Sequence, residues 1–343
     1  MKKSVFLGAL AATGLSAGYA AADGHASGTL AQVLERGTLL CGVSTGLVGF
    51  AAPNASGEWE GFDVGVCRAV AAAVLGDASA VEFVPTTGQT RFTALASGEV
   101  DMLARNTTWT FSRDVDLAFE FVGVNYYDGQ GFMVPSDLGV SSAMELDGAT
   151  VCIQTGTTTE LNLADFFASN NMSYEPVPIE TNAEAQQQYL AGACDVYTTD
   201  ASGLAATRAT FEDPAAHVVL PEIVSKEPLG PLVRHGDHEW GDIVRWTLNL
   251  LISAEELGVT SANVTELAGG TNNPEINRML GTEGDLGGML GLETDWAVGV
   301  LSSVGNYGEL FEGNIGEATP IGLARGLNAQ WTDGGLLYSP PFR

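Results

Sequence analysis

The sequence predicts an α/β protein of two lobes, each a sheet with a parallel core flanked by helices, joined by a two-strand hinge and carrying a helical C-terminal extension. Three observations predict this. Strand-like and helix-like segments alternate from Gly37 to Leu103, and the alternation restarts near Leu146. The two halves also echo each other. LASGEVDMLARN and LAGACDVYTTD each end a helix with glycine (Gly98, Gly192), place an aspartate three residues on (Asp101, Asp195) and continue into a strand. Strand–helix–strand succession implies parallel neighbours, because parallel strands need a long crossover and a helix usually supplies it.

Taken in order, the chain opens MKKSVFLGALAATGLSAGYAAADG: two lysines, an apolar run from Val5 to Ala17, and small residues at Ala20, Ala21 and Ala22. This is the pattern of a secretory signal cleaved after Ala22, its apolar run too short for a membrane span. TLLCGVS reads as a buried strand between Gly37 and Gly46. GFDVGVCRAVAAAVLG sets Phe62, Val66, Ala69, Val70, Ala73 and Val74 at helical spacing and stops at Gly76. VEFV is a strand, TRFTALASG a short helix, VDMLA a strand. In the second half ATVCIQ, YEPVPI and CDVYT are strands, and TTTELNLADFFAS and NAEAQQQYLAG are helices.

The join is NYYDGQGFMV, and HVVLPEIVSKEPLGPLVR returns as extended chain, so the hinge lies near residues 125–134 and 222–234. Lobe 1 then comprises residues 23–126 and 230–343, lobe 2 residues 127–229. Beyond Arg234, EWGDIVRWTLNLLISAEELG places Trp240, Ile243, Val244, Trp246, Thr247, Leu250 and Leu251 on one broad face. NPEINRMLG, LETDWAVGVLSSVG and NYGELFEGN follow as shorter helices, an appendage packed on lobe 1.

The 343 residues include 14 basic and 42 acidic ones, a net charge of −28. Such a surface repels phosphate backbones and argues against nucleic acid as a partner. With 45% hydrophobic residues the chain can bury ordinary cores. Its four cysteines, Cys41, Cys67, Cys152 and Cys194, form no CxxC, and an even number in an exported chain favours two disulfides. Of the three pairings, Cys41 with Cys67 and Cys152 with Cys194 keep each bridge local to one lobe. Their spacings do not match a zinc knuckle, and His235 and His238 lack a third ligand, so no metal is expected. No P-loop, GxSxG or HExxH occurs, and no cofactor is implied.

The order GxWxGFDVxVCRAVAAAVLG, ALASGEVDM, NTTWTFSRD, VCIQTGTTTELNL and YLAGACDVYTTDASGLA resembles the polar amino-acid-binding proteins of bacterial ABC importers, solute-binding family 3. Within that family it is most similar to the general and glutamate/glutamine/aspartate/asparagine-binding group. The resemblance runs over nearly the whole mature chain, through the closing RGLN..W..GGLLYSPPFR. It implies a type II periplasmic binding fold, two lobes closing on one amino acid, a monomer in the periplasm and a membrane permease as partner.

A free amino acid brings a carboxylate and an ammonium whose charges must be met as water leaves. An arginine fork suits the first and an aspartate the second. The resemblance makes Arg113, which ends T-x-x-R, the α-carboxylate clamp, with Thr108 its helper and Asn106 a contact. Asp200, after the strand CDVYTT, would take the ammonium, with Thr199 beside it. Thr157 and Thr158, and with them Gln154, lie in a loop that would present hydroxyls and amides to the ligand. Arg91 would meet a distal carboxylate. Acidic binders carry a further arginine where Ser44 stands here, so the resemblance implies breadth over acids and amides instead of strict glutamate. Leu47 or Phe50 would cover the ligand's methylenes. The rival class is an enzyme on this scaffold, for which Glu160 is the one extra acid near the matched positions; a receptor that signals to a sensor is a third reading.

Overall fold

The computed structural model describes residues 28–343, so the signal segment at 1–22 lies outside the described residues. In chain order the strands are β1 (Leu39–Ser44), β2 (Ala52–Pro53), β3 (Trp59–Glu60), β4 (Val81–Thr86), β5 (Met102–Leu103), β6 (Phe119–Phe121), β7 (Tyr126–Asp128), β8 (Gln130–Pro135), β9 (Ala149–Gln154), β10 (Tyr174–Ile179), β11 (Val196–Asp200), β12 (His217–Val219), β13 (Glu227–Leu229) and β14 (Leu232–Arg234). The helices are α1 (Thr29–Arg36), α2 (Phe62–Leu75), α3 (Arg91–Ser97), α4 (Thr158–Ser169), α5 (Asn182–Leu190), α6 (Ala201–Arg208), α7 (His238–Glu256), α8 (Val264–Leu267), α9 (Pro274–Met279), α10 (Leu286–Met289), α11 (Trp296–Val304) and α12 (Tyr307–Asn314).

One sheet has the order β4-β1-β5-β14-β6, the other β10-β9-β11-β8-β12. In each, the three strands linked by helices are parallel, as the alternation predicts: β4-β1-β5 and β10-β9-β11. The remaining strands run antiparallel. Of these, only β8 and β14 oppose the core direction, and each directly follows a chain crossing, β7 or β13, with no crossover helix between to restore the direction.

The echo has a structural meaning. Gly98 and Gly192 both take left-handed backbone, φ 78° and 70°, at the ends of their helices. The Asp101 carboxylate accepts from Leu40 N at 2.7 Å, where β1 begins. Asp195 accepts from Thr150 N at 2.9 Å, where β9 begins. Each aspartate therefore fixes the start of the neighbouring parallel strand, and so sets which residues emerge at its far end. The cysteines pair as expected, Cys41–Cys67 tying β1 to α2 and Cys152–Cys194 tying β9 to the segment before β11, with Cα separations of 6.1 and 5.6 Å.

Helix α2 is buried almost all round, including Gly65 and Ala69 to Ala73. The first sheet covers one side, and α7, α11 and α12 of the extension cover the other. A helix covered on both sides needs no polar stripe. Phe50 is part of that core, meeting Phe62 and Tyr126 edge-on at 6.3 and 5.7 Å, so of the two residues proposed to cover a ligand it is committed elsewhere. On α7, Trp246 is only half-buried, packing on Phe342, while the rest of the expected face is buried except for this residue.

The crossings form a two-stranded antiparallel ribbon, β7 with β13, in the register Glu227↔Asp128, Pro228↔Tyr127 and Leu229↔Tyr126. The extension does more than sit on lobe 1. Asn328 accepts from Tyr127 N at 2.7 Å and donates to Tyr127 O at 3.1 Å, and Tyr307 Oη donates to Asn125 O at 2.8 Å.

Candidate functional site

Parallel strands deliver their following residues to one edge, and ligands collect beyond those carboxyl ends. Here the two sheets turn those edges toward each other. The space between is bordered by Ser44, Leu47, Arg91, Arg105, Asn106 and Thr108 from one side, and from the other by Gln154, Thr157, Thr158, Thr159, Asn182, Tyr197, Thr199, Asp200, Ser202 and Gly203. Ten of the eleven residues expected at a ligand site border it. Arg113 does not.

The two sides are in contact. Gln89 Nε2 donates to Thr155 Oγ1 at 2.9 Å, Arg91 Nη2 to Gly156 O at 3.3 Å, and Asn182 Nδ2 to Ser44 Oγ at 3.2 Å. A Cβ at Gly88 would stand 2.7 Å from Thr155 O and 3.1 Å from Thr157 Cγ2, atoms across the cleft. Gly88→Ala is therefore expected to hold the sides apart. Overpacking costs about 1–3 kcal/mol, or roughly ten- to a hundredfold in Kd for every ligand alike. Titration calorimetry reads that loss, and an unaltered melting temperature of the ligand-free protein shows that each side still folds.

Asp200 stands at the N-cap position of α6, yet its side chain makes no capping bond and accepts no hydrogen bond among the described residues. Burial pushes its carboxyl well above the usual range, with Asp128 and Glu227 adding to the rise. Asp128 is itself pushed up to about 6 by burial, despite hydrogen bonds from Ser202 and Gly129. An acid so placed gains most from a cation arriving beside it.

The positive side of the cleft holds three buried guanidinium groups. Burial and mutual repulsion lower Arg91 well below its ordinary value, and burial before all else lowers Arg105 and Arg113 to about 10. An arginine stays protonated regardless. The shifts thus reflect how far burial strips these charges of water. Arg113 leaves the cleft's border because its Nη1 donates to Thr108 O at 2.9 Å while the guanidinium lies 5.1 Å from the Phe92 ring centre. Arg91 uses Nη1 on Thr107 Oγ1 at 3.2 Å.

Glu227, from β13, is fully buried and accepts from Thr158 Oγ1 at 2.8 Å, Asn162 Nδ2 at 2.6 Å, Ser225 Oγ at 2.8 Å and Thr108 Oγ1. A hydroxyl has one proton to give. With theirs engaged by Glu227, the Thr108 and Thr158 hydroxyls can only accept from a further partner, which makes Thr108 better suited to an ammonium than to a carboxylate. Thr157 caps α4, accepting from Glu160 N at 3.2 Å and donating to Gln154 O at 2.6 Å, so what it adds toward an anion is the helix N-terminus itself. Gln154 Nε2 is held by Glu180 O at 2.7 Å. Glu160, the acid considered for an enzyme, is occupied by Gly156 N at 3.0 Å.

Sequence reasoning missed Arg105, Asn182, Thr159, Tyr197, Ser202, Gly203 and Glu227. Arg105 was findable, since it lies two residues beyond β5, at the end where ligands gather. Glu227 carried no local signal. Trp109 stacks on Phe121 with ring centres 5.6 Å apart and does not border the cleft. Among the described residues no cluster of three or more His, Cys, Asp or Glu could hold a metal, and no helix is long and apolar enough to cross a membrane.

Residues 39–262 match the family described as bacterial extracellular solute-binding proteins, family 3. The chain is 65% identical over 343 residues, 100% of both chains, to the glutamate/glutamine/aspartate/asparagine-binding protein of Rhodobacter capsulatus. It is 55% identical over 345 residues, again 100% of both, to the general L-amino acid-binding periplasmic protein of Rhizobium johnstonii. Its fold superposes with a TM-score of 0.90 on an ABC transporter periplasmic binding protein from Brucella ovis solved with glutathione bound, at 55% identity, covering 92% of this chain and 100% of that one. With a cleft between two like sheets and a family match over most of its length, this chain belongs to the bacterial extracellular solute-binding proteins of family 3.

Proposed function

We propose that the protein receives a polar L-amino acid, of the glutamate, glutamine, aspartate and asparagine class, between its two lobes and delivers it to the permease of an ABC importer. The observation that carries this is an acid without a hydrogen-bond partner, Asp200, facing one enclosed space with buried guanidinium groups at its border. In this reading Asp200 and the lone pairs of Thr108 take the ammonium. The α-carboxylate meets the N-terminus of α4, at Thr157 and Thr158, with Arg113 behind it. Asn106, Thr199, Gln154, Ser44 and Leu47 complete the wall, and Arg91 braces the lobes.

The lobes are residues 23–126 with 230–343, and 127–229, turning about the β7–β13 ribbon. Ligand stabilises the shut form through its greater affinity for it. The chain acts as a monomer in the periplasm, with its signal removed after Ala22; its charge of −28 favours no nucleic-acid partner. It is a receptor and not an enzyme, in keeping with relatives named as binding proteins.

Calorimetric titration of ligand-stripped protein with the twenty amino acids is the test. The strongest responses should come from the four acidic and amide ligands, each recovered unchanged. A preference for cationic or aliphatic side chains, or no binding at all, would reject the reading.

A further inference from the structure

We infer that Arg105 selects the ligand's side chain, its guanidinium fork receiving the distal carboxylate of an acidic amino acid. This rests on the receptor reading above and assigns to Arg105 a role that the resemblance implied for Arg91.

The difference lies in what each arginine already holds. Arg91 has both terminal nitrogens engaged, one by Thr107 Oγ1 at 3.2 Å and one by Gly156 O at 3.3 Å, leaving only Nε without a partner. It is a strut between the lobes. Arg113 leans on Thr108 O and does not border the cleft. Arg105 borders it, is buried to 5% exposure, and has a single hydrogen bond among the described residues, Nε to Thr86 O at 3.1 Å. Both terminal nitrogens therefore remain, and they are the paired donors that match a carboxylate's two oxygens.

The tether also fixes where the fork sits. Thr86 lies beside Ser44 in the β1–β4 register, and its Oγ1 donates to Val43 O at 3.2 Å, so Arg105 is anchored over the carboxyl ends of these two strands. Asp200 stands on the other lobe. A ligand whose ammonium lies against Asp200 and whose side chain crosses toward β1 and β4 ends at this fork.

No protein acid already occupies it. Asp63 on α2 and Asp200 on β11 act on the Arg105 charge, but Asp63 accepts from Asn106 N at 3.3 Å and Asn125 Nδ2 at 3.2 Å, and no ion pair to Arg105 forms among the described residues. Arg113 adds repulsion, which a ligand anion relieves. A carboxylate offers the fork two charged acceptors. An amide offers one neutral acceptor and turns its NH2 toward a cation, so glutamate gains more than glutamine at this position.

Titration calorimetry of the ligand-stripped protein and of Arg105→Met, Arg105→Lys and Arg91→Met, each with L-glutamate and L-glutamine, tests the assignment. In Arg105→Met the glutamate-over-glutamine affinity ratio should fall by at least about tenfold. Arg105→Lys, which keeps the charge without the fork, should give an intermediate ratio, and it serves as the reading if the methionine variant does not fold. Arg91→Met should weaken both ligands alike. An unchanged ratio in the Arg105 variants, or a collapse confined to Arg91→Met, overturns the inference and leaves the receptor reading standing. Failure of the unaltered protein to bind either ligand removes both.

Discussion

Asp200→Asn should abolish amino-acid binding, raising Kd by two to three orders of magnitude for every ligand that carries an α-ammonium. The substitution preserves volume, and Asp200 caps no helix and accepts no hydrogen bond among the described residues, so the fold loses little. Removing one partner of a buried, desolvated ion pair costs about 3–5 kcal/mol, most of it the stranding of the other charge. Calorimetry checks the loss, and a retained melting temperature separates it from misfolding.

The same carboxyl makes binding depend on pH in a fixed direction. Burial, Asp128 and Glu227 hold it well above its ordinary value. An ammonium selects the ionised form and lowers that value again. Binding therefore releases protons, and affinity climbs as pH rises through the ligand-free value and falls as pH drops below it. Titrations at one pH in two buffers of different ionisation enthalpy should give different apparent heats; identical heats would contradict the role of Asp200.

Arg113→Ala is the second large expected effect, a loss of roughly two orders of magnitude or more for all amino acids, accompanied by lower stability. The guanidinium does two things from its buried place: it supports the Thr108 carbonyl and sets positive charge against Glu227 and Asp200. Truncation leaves that carbonyl without its donor and opens a gap beside Phe92. Arg113→Lys should restore part of the binding, because it returns the charge without the planar contact to the ring. Affinity equal to the unaltered protein in Arg113→Ala would assign the α-carboxylate wholly to α4.

Much of the fold was legible because its elements carry local patterns. The run from Phe62 to Leu75 has helical spacing and a terminal glycine, and VYTTD and ATVCIQ are short apolar runs between turn signals. Local periodicity does not report sheet direction near a chain crossing, so the antiparallel strands β8 and β14 were not foreseen. The site divides in the same way. Residues at strand exits, such as Ser44, Asn106 and Asp200, follow from topology. Glu227 reaches Thr108 across 119 positions and Asn182 reaches Ser44 across 138, distances over which nothing in a single sequence couples two residues. The resemblance made Arg113 a carboxylate clamp and Arg91 a side-chain partner; both are buried, but only Arg91 borders the cleft, and which of their nitrogens remain available is settled only by packing.

Asn328 forms two hydrogen bonds with Tyr127, 201 positions away, taking the place that another strand would fill beside β7. A strand flank with open amides and carbonyls invites pairing with a second molecule. By plugging that flank with one side-chain amide, the tail hides an adhesive seam on the ribbon. Resistance to clumping is thereby written into a segment that belongs to neither sheet.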